Sequence, residues 1–90
     1  MTVSILGNDI EVYYVSQLDL TKRTKDKDSL GFWDGEAIYV LETLSEHRKK
    51  RIFTHEVIHA IFSLTGLTKM MEEKLEEAIC DALECLELHA

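Results

Sequence analysis

The segment from Ile52 to Leu64 is apolar on most sides of a helix, yet it contains two histidines and a glutamate. A helix without a broad polar face is expected to lie inside a protein. Burying His55, Glu56 and His59 there is unfavourable unless these residues are paired or bind a metal ion. The segment therefore predicts a central helix around which the rest of the chain packs.

The two histidines and the glutamate form the motif His-Glu-x-x-His. On a helix, positions i and i+4 share one face, so the imidazoles of His55 and His59 can bind one metal ion. A Zn²⁺ ion with three protein ligands keeps its fourth position open, as catalytic sites do. Glu56 can then act as general base toward water acidified by the ion. The motif predicts zinc and peptide-bond hydrolysis. The alternative is a pair of ordinary core histidines next to local carboxylates.

A third metal ligand is expected from the acidic segment near the C-terminus. Glu77 and Asp81 form Glu-x-x-x-Asp and share one face of a predicted helix. We expect Glu77 to bind the metal and Asp81 to accept the free ring N–H of a ligand histidine. Glu76 is the main competitor because it lies nearer the edge of the apolar stripe. Glu72, Glu73 or no third ligand at all are the remaining alternatives.

Length and charge restrict the class of protein. Ninety residues correspond to one small domain, residues 1–90, and 46% hydrophobic residues are normal for a globular protein. A net charge of −7 argues against a nucleic-acid surface, and the basic run at 47–51 is interpreted as the solvated start of the central helix. Cys80 and Cys85 do not make a secreted disulfide framework, and no stretch resembles a signal peptide or membrane span. These features predict a cytoplasmic protein.

Alternating apolar residues and turn residues predict two β-hairpins. Residues 2–15 form the first, with its turn near Gly7, and residues 30–41 form the second. In the second, Asp34 and Gly35 are expected to make a type I′ turn. The intervening residues 16–28 are polar and are interpreted as a solvated loop, with a short helical turn near Leu18 and Leu20 as the alternative.

Two helices are expected to follow the hairpins. The central helix begins at Thr43 or Ser45, either of which can cap it, and stops at Gly66. The last helix is predicted from residue 69 to about residue 88. The predicted fold class is α+β, a small antiparallel sheet of two hairpins followed by two packed helices.

Oxyanion stabilisation requires a hydrogen-bond donor or cation near the metal. Tyr39, Tyr14 and His47 are the candidates in this chain, and Tyr39 is the one we select, although a tyrosine more often packs in a sheet face with its hydroxyl at the surface.

The sequences His-Glu-Val-Ile-His and Glu-Ala-Ile-Cys-Asp resemble the motifs of gluzincin metallopeptidases. Over about residues 30–83 the chain is similar to small phage and prophage metallopeptidase-like proteins, and to ImmA/IrrE-type peptidases, some of which cleave phage repressors. The resemblance implies a minimal zincin-like fold and a protein or peptide substrate, with a phage repressor as one candidate. It also implies that a strand ahead of the active helix pairs with the substrate backbone. That strand would comprise Glu36, Ala37, Ile38, Tyr39, Val40 and Leu41.

The small size of the chain supports a second functional hypothesis. A peptidase-like module could hold zinc for stability and dock a protein partner, with little or no catalysis. The hypotheses differ in whether Glu56 is needed.

Overall fold

The chain folds into a mixed four-stranded sheet with α-helices on both of its faces. The structure, a computed structural model, describes residues 1–70 and 72–83. No helix in these two ranges is long and apolar enough to cross a membrane. The elements, in chain order, are β1 (Thr2–Ile5), β2 (Asn8–Val15), α1 (Gln17–Thr24), β3 (Gly31–Trp33), β4 (Ala37–Leu41), α2 (Glu46–Thr65), a 3₁₀ turn (Leu67–Met70) and α3 (Glu73–Leu83).

The fold is α+β, as predicted. The sheet, however, is mixed, whereas an antiparallel sheet was predicted. Its strand order is β1-β2-β4-β3, and the two hairpins lie side by side through a parallel pairing of β2 with β4. In that pairing Glu11 lies opposite Ala37 and Val15 opposite Leu41. Parallel neighbours need a crossover connection, and here α1 and β3 provide it. The prediction of an antiparallel sheet is therefore wrong. Residue alternation reveals strands, but it does not reveal which strands of different hairpins pair.

The first hairpin is confirmed, whereas the turn of the second differs from its prediction. Leu6 and Gly7 both have positive φ, 51° and 81°, as a two-residue turn requires. In the second hairpin Gly35 has φ 99°, but Asp34 does not share the left-handed conformation. The Asp34 carboxylate instead accepts the backbone N–H groups of Glu36 and Ala37, each at 2.7 Å. This side-chain hydrogen bonding stabilises a wider turn than type I′.

The segment predicted as a solvated loop contains helix α1. The Ser16 side chain caps it by accepting the Asp19 N–H at 3.2 Å. Leu20 is fully buried and packs with Tyr39 and Leu41 on one face of the sheet. One buried leucine in a polar segment is too weak a periodic signal, and the helix is stabilised by the sheet it covers.

The central helix α2 begins and ends where the sequence predicts. Ser45 accepts the Arg48 N–H at 3.3 Å, and Gly66 ends the helix with φ 82°. Phe53, Val57 and Ala60 are buried and pack on the opposite sheet face from α1.

The last helix is shorter at its start than predicted. The chain turns at Leu67–Met70 in a 3₁₀ conformation, so α3 begins at Glu73. Cys80 is the fully buried residue of α3, whereas Leu75 is 53% exposed. Predicted positions 84–88 lie outside the described residues. The face of α3 around Cys80 therefore lies toward the rest of the protein, and α3 packs on α2.

Candidate metal centre

Helix α2 brings the two histidines of the motif together on one face. Their Nε2 atoms are 3.2 Å apart, and the side chains are 14% and 17% exposed. The residues between them, Val57 and Ile58, are buried in the protein. The i, i+4 spacing on a regular helix therefore aims both Nε2 atoms of His55 and His59 at one point, as the sequence predicts.

Helix α3 adds the carboxylate of Glu77 at that point. Its Oε1 atom is 3.5 Å from Nε2 of His55 and in direct contact with Nε2 of His59. Nitrogen ligands bound tetrahedrally at about 2.0–2.1 Å from zinc lie roughly 3.3 Å from one another. Two of the three separations, 3.2 and 3.5 Å, are close to that value, and two imidazoles with one carboxylate are a ligand set that zinc accepts. The ligand role of Glu77 stays a prediction.

Two further carboxylates lie behind the histidine rings. Nδ1 of His59 is 2.6 Å from Oε2 of Glu76, and Nδ1 of His55 is 3.4 Å from Oδ1 of Asp81. A carboxylate at Nδ1 draws the ring proton to that nitrogen and leaves the Nε2 lone pair for a metal. Asp81 thus lies where its expected role requires. Glu76 was the competitor for the ligand position. It lies instead on the outer side of His59, a position that the sequence did not predict.

Glu56 lines the same cleft as His55, His59 and Glu77 and is 7% exposed. Burial raises its pKa to about 7, with His55 opposing the rise and the charge of Glu77 adding to it. A carboxyl group with a pKa close to neutral can exchange a proton readily in that pH range. Glu56 is therefore suited to the general-base role that the motif predicts.

Strand β3 passes directly over Glu56, and Gly31 makes this approach possible. A Cβ atom at Gly31 would lie 2.5 Å from Cγ2 of Ile52 and 3.2 Å from Oε2 of Glu56. The first distance is far inside van der Waals contact, so a side chain would displace Ile52. Gly31 thus allows the edge of the sheet to lie close to the carboxylate.

Cys80, which the sequence motifs did not single out, lies beside the three donor atoms of the candidate centre. Its Sγ and the donor atoms of His55, His59 and Glu77 all lie within 4.8 Å of one another. The thiol is free and fully buried. Burial raises its pKa to about 12, and the charge of Glu77 adds to the rise. Its position three residues after Glu77, on the same helix face, was the available signal.

An open cleft of about 880 Å³ leads to the donor atoms. The basic run before the motif was predicted to be solvated. Arg48 and Arg51 of this run are exposed, and both also line the cleft. Their spacing of seven and four residues from His55 places them along its helix face. The cleft is lined by Thr24, Asp26, Ser29, Leu30, Gly31, Phe32, Trp33, Arg48, Arg51, Ile52, His55, Glu56, His59, Ser63, Glu73, Glu76, Glu77 and Asp81.

Tyr39 does not lie near the metal centre, so its assignment as oxyanion stabiliser is wrong. Alternation along β4 directs Ile38 and Val40 toward α2 but Tyr39 toward α1. The Tyr39 ring stacks on Tyr13 with centroids 5.4 Å apart, and the guanidinium of Arg23 lies 4.1 Å from its centroid. The alternatives Tyr14 and His47 are not among the described residues that line the cleft.

The prediction that residues 36–41 form the strand that pairs with substrate is also wrong. Strand β4 is an interior strand, hydrogen-bonded to β2 on one side and β3 on the other, and all five of its residues are buried. It has no free edge for another chain. The strand with an unpaired edge at the cleft is β3, whose residues line it.

Comparison with known proteins identifies a family. The family model described as DA1-like, Protein DA1, matches residues 12–89. Comparisons with curated proteins and with solved structures returned no significant match. The resemblance to phage proteins and ImmA/IrrE-type peptidases stays a prediction. Because the family model matches most of the sequence, including every residue of the candidate centre, the chain belongs to the DA1-like family.

Proposed function

We propose that the protein is a zinc-dependent metallopeptidase in which His55, His59 and Glu77 hold the ion and Glu56 is the general base. The observation that carries the proposal is the convergence of two imidazole nitrogens and a carboxylate oxygen at one point, next to a second, buried carboxylate. Each of these features alone could be purely structural, since acidic residues often lie near histidines. Their combination in an open cleft favours catalysis.

The chemistry divides between the ion and the side chains. When bound, zinc would polarise the substrate carbonyl and acidify water in the site. Glu56 takes a proton from the attacking water and delivers it to the leaving amine. Its pKa of about 7 suits both transfers, because a group that titrates near neutrality can accept and release a proton at similar cost. Glu76 and Asp81 hold the imidazoles in the orientation that presents Nε2.

Within the described residues, strand β3 offers a peptide substrate a backbone partner at the cleft. Strand β3 has an unpaired edge, and an extended peptide can add to such an edge as a further strand. Gly31 brings that strand close to Glu56. A substrate paired with β3 would therefore pass beside the general base and the donor atoms. We infer a protein or peptide substrate, with phage repressors retained as candidates and the cytoplasm as the expected location.

The second candidate function is a zinc-binding module that docks a protein partner without hydrolysis. The observation in its favour is Cys80, because four protein ligands make the closed arrangement of structural zinc sites. A docking module has no need of a general base, so the two functions predict different consequences of changing Glu56.

The test compares wild type with Glu56→Gln and with Glu42→Gln, a change at an exposed carboxylate in the turn after β4. Each zinc-loaded protein is incubated with bacterial lysate supplemented with purified phage repressors, and the peptide fragments are identified by mass spectrometry. We expect fragments from wild type and Glu42→Gln, abolished by a zinc chelator. Glu56→Gln should bind zinc but produce them about 10²–10⁴-fold more slowly. Identical, chelator-insensitive fragment patterns from all three proteins would refute the peptidase and favour the docking module.

A further inference from the structure

We propose that Cys80 is the fourth ligand of the resting metal centre, and that its thiolate keeps the site closed until it is displaced. The inference rests on the metal centre proposed above and concerns the regulation of that centre. Three observations support it: the distance of the sulfur from the other donors, the chemical nature of its neighbours, and its burial.

The sulfur lies close to a coordinating position. Its separation from the donor atoms of His55, His59 and Glu77 is at most 4.8 Å. A thiolate binds tetrahedral zinc at about 2.3 Å and would then lie roughly 3.5 Å from each of the other donors. The sulfur therefore has to approach by no more than about 1.3 Å. Rotation of one side chain on a helix that already carries Glu77 can supply this movement.

The surroundings of Cys80 are those of a metal ligand and not of an apolar core. A buried cysteine often acts as a small hydrophobic residue. Here, however, burial and the charges of the Glu77, Glu76, Glu56 and Asp81 carboxylates together raise the pKa of the metal-free thiol, so its neighbours include charged groups. The apolar clusters that pack on the two sheet faces do not include Cys80 among the described residues.

Coordination by Cys80 has a direct functional consequence. Four protein ligands saturate a tetrahedral ion, and no position remains for water or substrate. The thiol exchanges its S–H bond for a bond to the metal and releases the proton to solvent. When the sulfur leaves, it takes up a proton again and water occupies the vacated position.

Cobalt substitution tests the inference by absorption spectroscopy. Protein freed of metal is loaded with one equivalent of Co²⁺, and the near-ultraviolet sulfur-to-cobalt charge-transfer band is recorded alongside the visible bands of the bound ion. We expect the charge-transfer band in wild type and in Cys85→Ser, the matched control at the other cysteine. We expect it to be absent in Cys80→Ser, which should still show the visible bands of bound Co²⁺.

The outcomes separate this inference from the proposed function. Visible bands without a charge-transfer band in wild type would overturn the Cys80 inference and leave the three-ligand centre intact. Loss of the band in Cys85→Ser but not in Cys80→Ser would also overturn it. Failure of wild type to bind Co²⁺ or Zn²⁺ stoichiometrically would overturn both proposals. If Cys80→Ser does not fold, X-ray absorption of zinc-loaded wild type decides: a sulfur neighbour at about 2.3 Å supports the inference, and a shell of only nitrogen and oxygen at about 2.0–2.1 Å refutes it.

Closure of the site is tested with acetohydroxamate, a small chelating probe that needs an open coordination position. If wild type is closed in nine of ten molecules, its apparent affinity for the probe is reduced about tenfold relative to an open site. We therefore expect Cys80→Ser, loaded with Co²⁺, to respond to about tenfold less acetohydroxamate than wild type and Cys85→Ser. Equal affinity in all three proteins would show that Cys80 does not close the site.

Discussion

Replacing Glu56 by glutamine should stabilise the metal-free protein at alkaline pH, although it removes the proposed general base. Glu56 is 7% exposed, and burial raises its pKa from an ordinary 4.5 to about 7. Each pKa unit corresponds to about 1.36 kcal/mol of free energy. Above neutral pH, the charged carboxylate therefore costs the folded state about 3 kcal/mol. Glutamine is nearly isosteric and carries no charge, so it avoids this cost.

The pH dependence follows from where the proton is held. Between pH 4.5 and about 7 the folded state keeps a proton on Glu56 that the unfolded state has lost. The free energy of unfolding therefore falls as the pH rises through this window. Below pH 4.5 both states are protonated, and the destabilising contribution disappears. The difference in stability between Glu56→Gln and wild type should grow by about 3 kcal/mol from pH 4.5 to pH 8.

The assay is urea unfolding of both proteins in the presence of a chelator, followed by far-ultraviolet circular dichroism at several pH values. Glu42→Gln, at an exposed position, should stay within about 0.5 kcal/mol of wild type throughout. A difference between Glu56→Gln and wild type that does not change with pH would refute the assignment of a buried, charged carboxylate at this position. A less stable Glu56→Gln at pH 8 would refute it as well. We expect Glu56→Gln to be more stable than wild type but to lack the proposed general base. Such a trade-off between stability and activity is common at active sites.

Three further predictions concern the centre and the strand above it. His55→Ala and His59→Ala should each lose stoichiometric zinc binding, measured by metal analysis after dialysis against a mild chelator; one retained equivalent in both variants would exclude the motif as the metal site. In zinc titrations Glu77→Gln should weaken binding more than Asp81→Asn, whose expected loss is about 10–100-fold as for an outer carboxylate; the opposite order would remove Glu77 from the ligand set. Gly31→Ala should lower the free energy of unfolding by about 1–3 kcal/mol through overpacking; unchanged urea midpoints would show that the side chains below the strand adapt freely.

Much of the candidate centre follows from local sequence because its parts lie on single helices. The spacing of His55 and His59 specifies a common face on any regular helix, and Ser45 and Gly66 determine where that helix begins and ends. The same periodicity relates Glu77 to Asp81 on α3. These relationships depend on backbone geometry within one element, so they can be derived without knowledge of the fold.

What the sequence left undecided depends on how separate elements meet. Periodicity does not specify how α3 is rotated against α2, and this rotation directs Glu77 to the donor point, Glu76 behind His59 and Cys80 toward the metal position. The parallel pairing of β2 with β4 makes β4 an interior strand and directs Tyr39 away from the centre. Local sequence was sufficient to predict the helix that carries His55, Glu56 and His59. The carboxylate behind His59, the position of Cys80 and the free strand edge depend instead on tertiary packing, because each involves contacts between residues far apart in the chain.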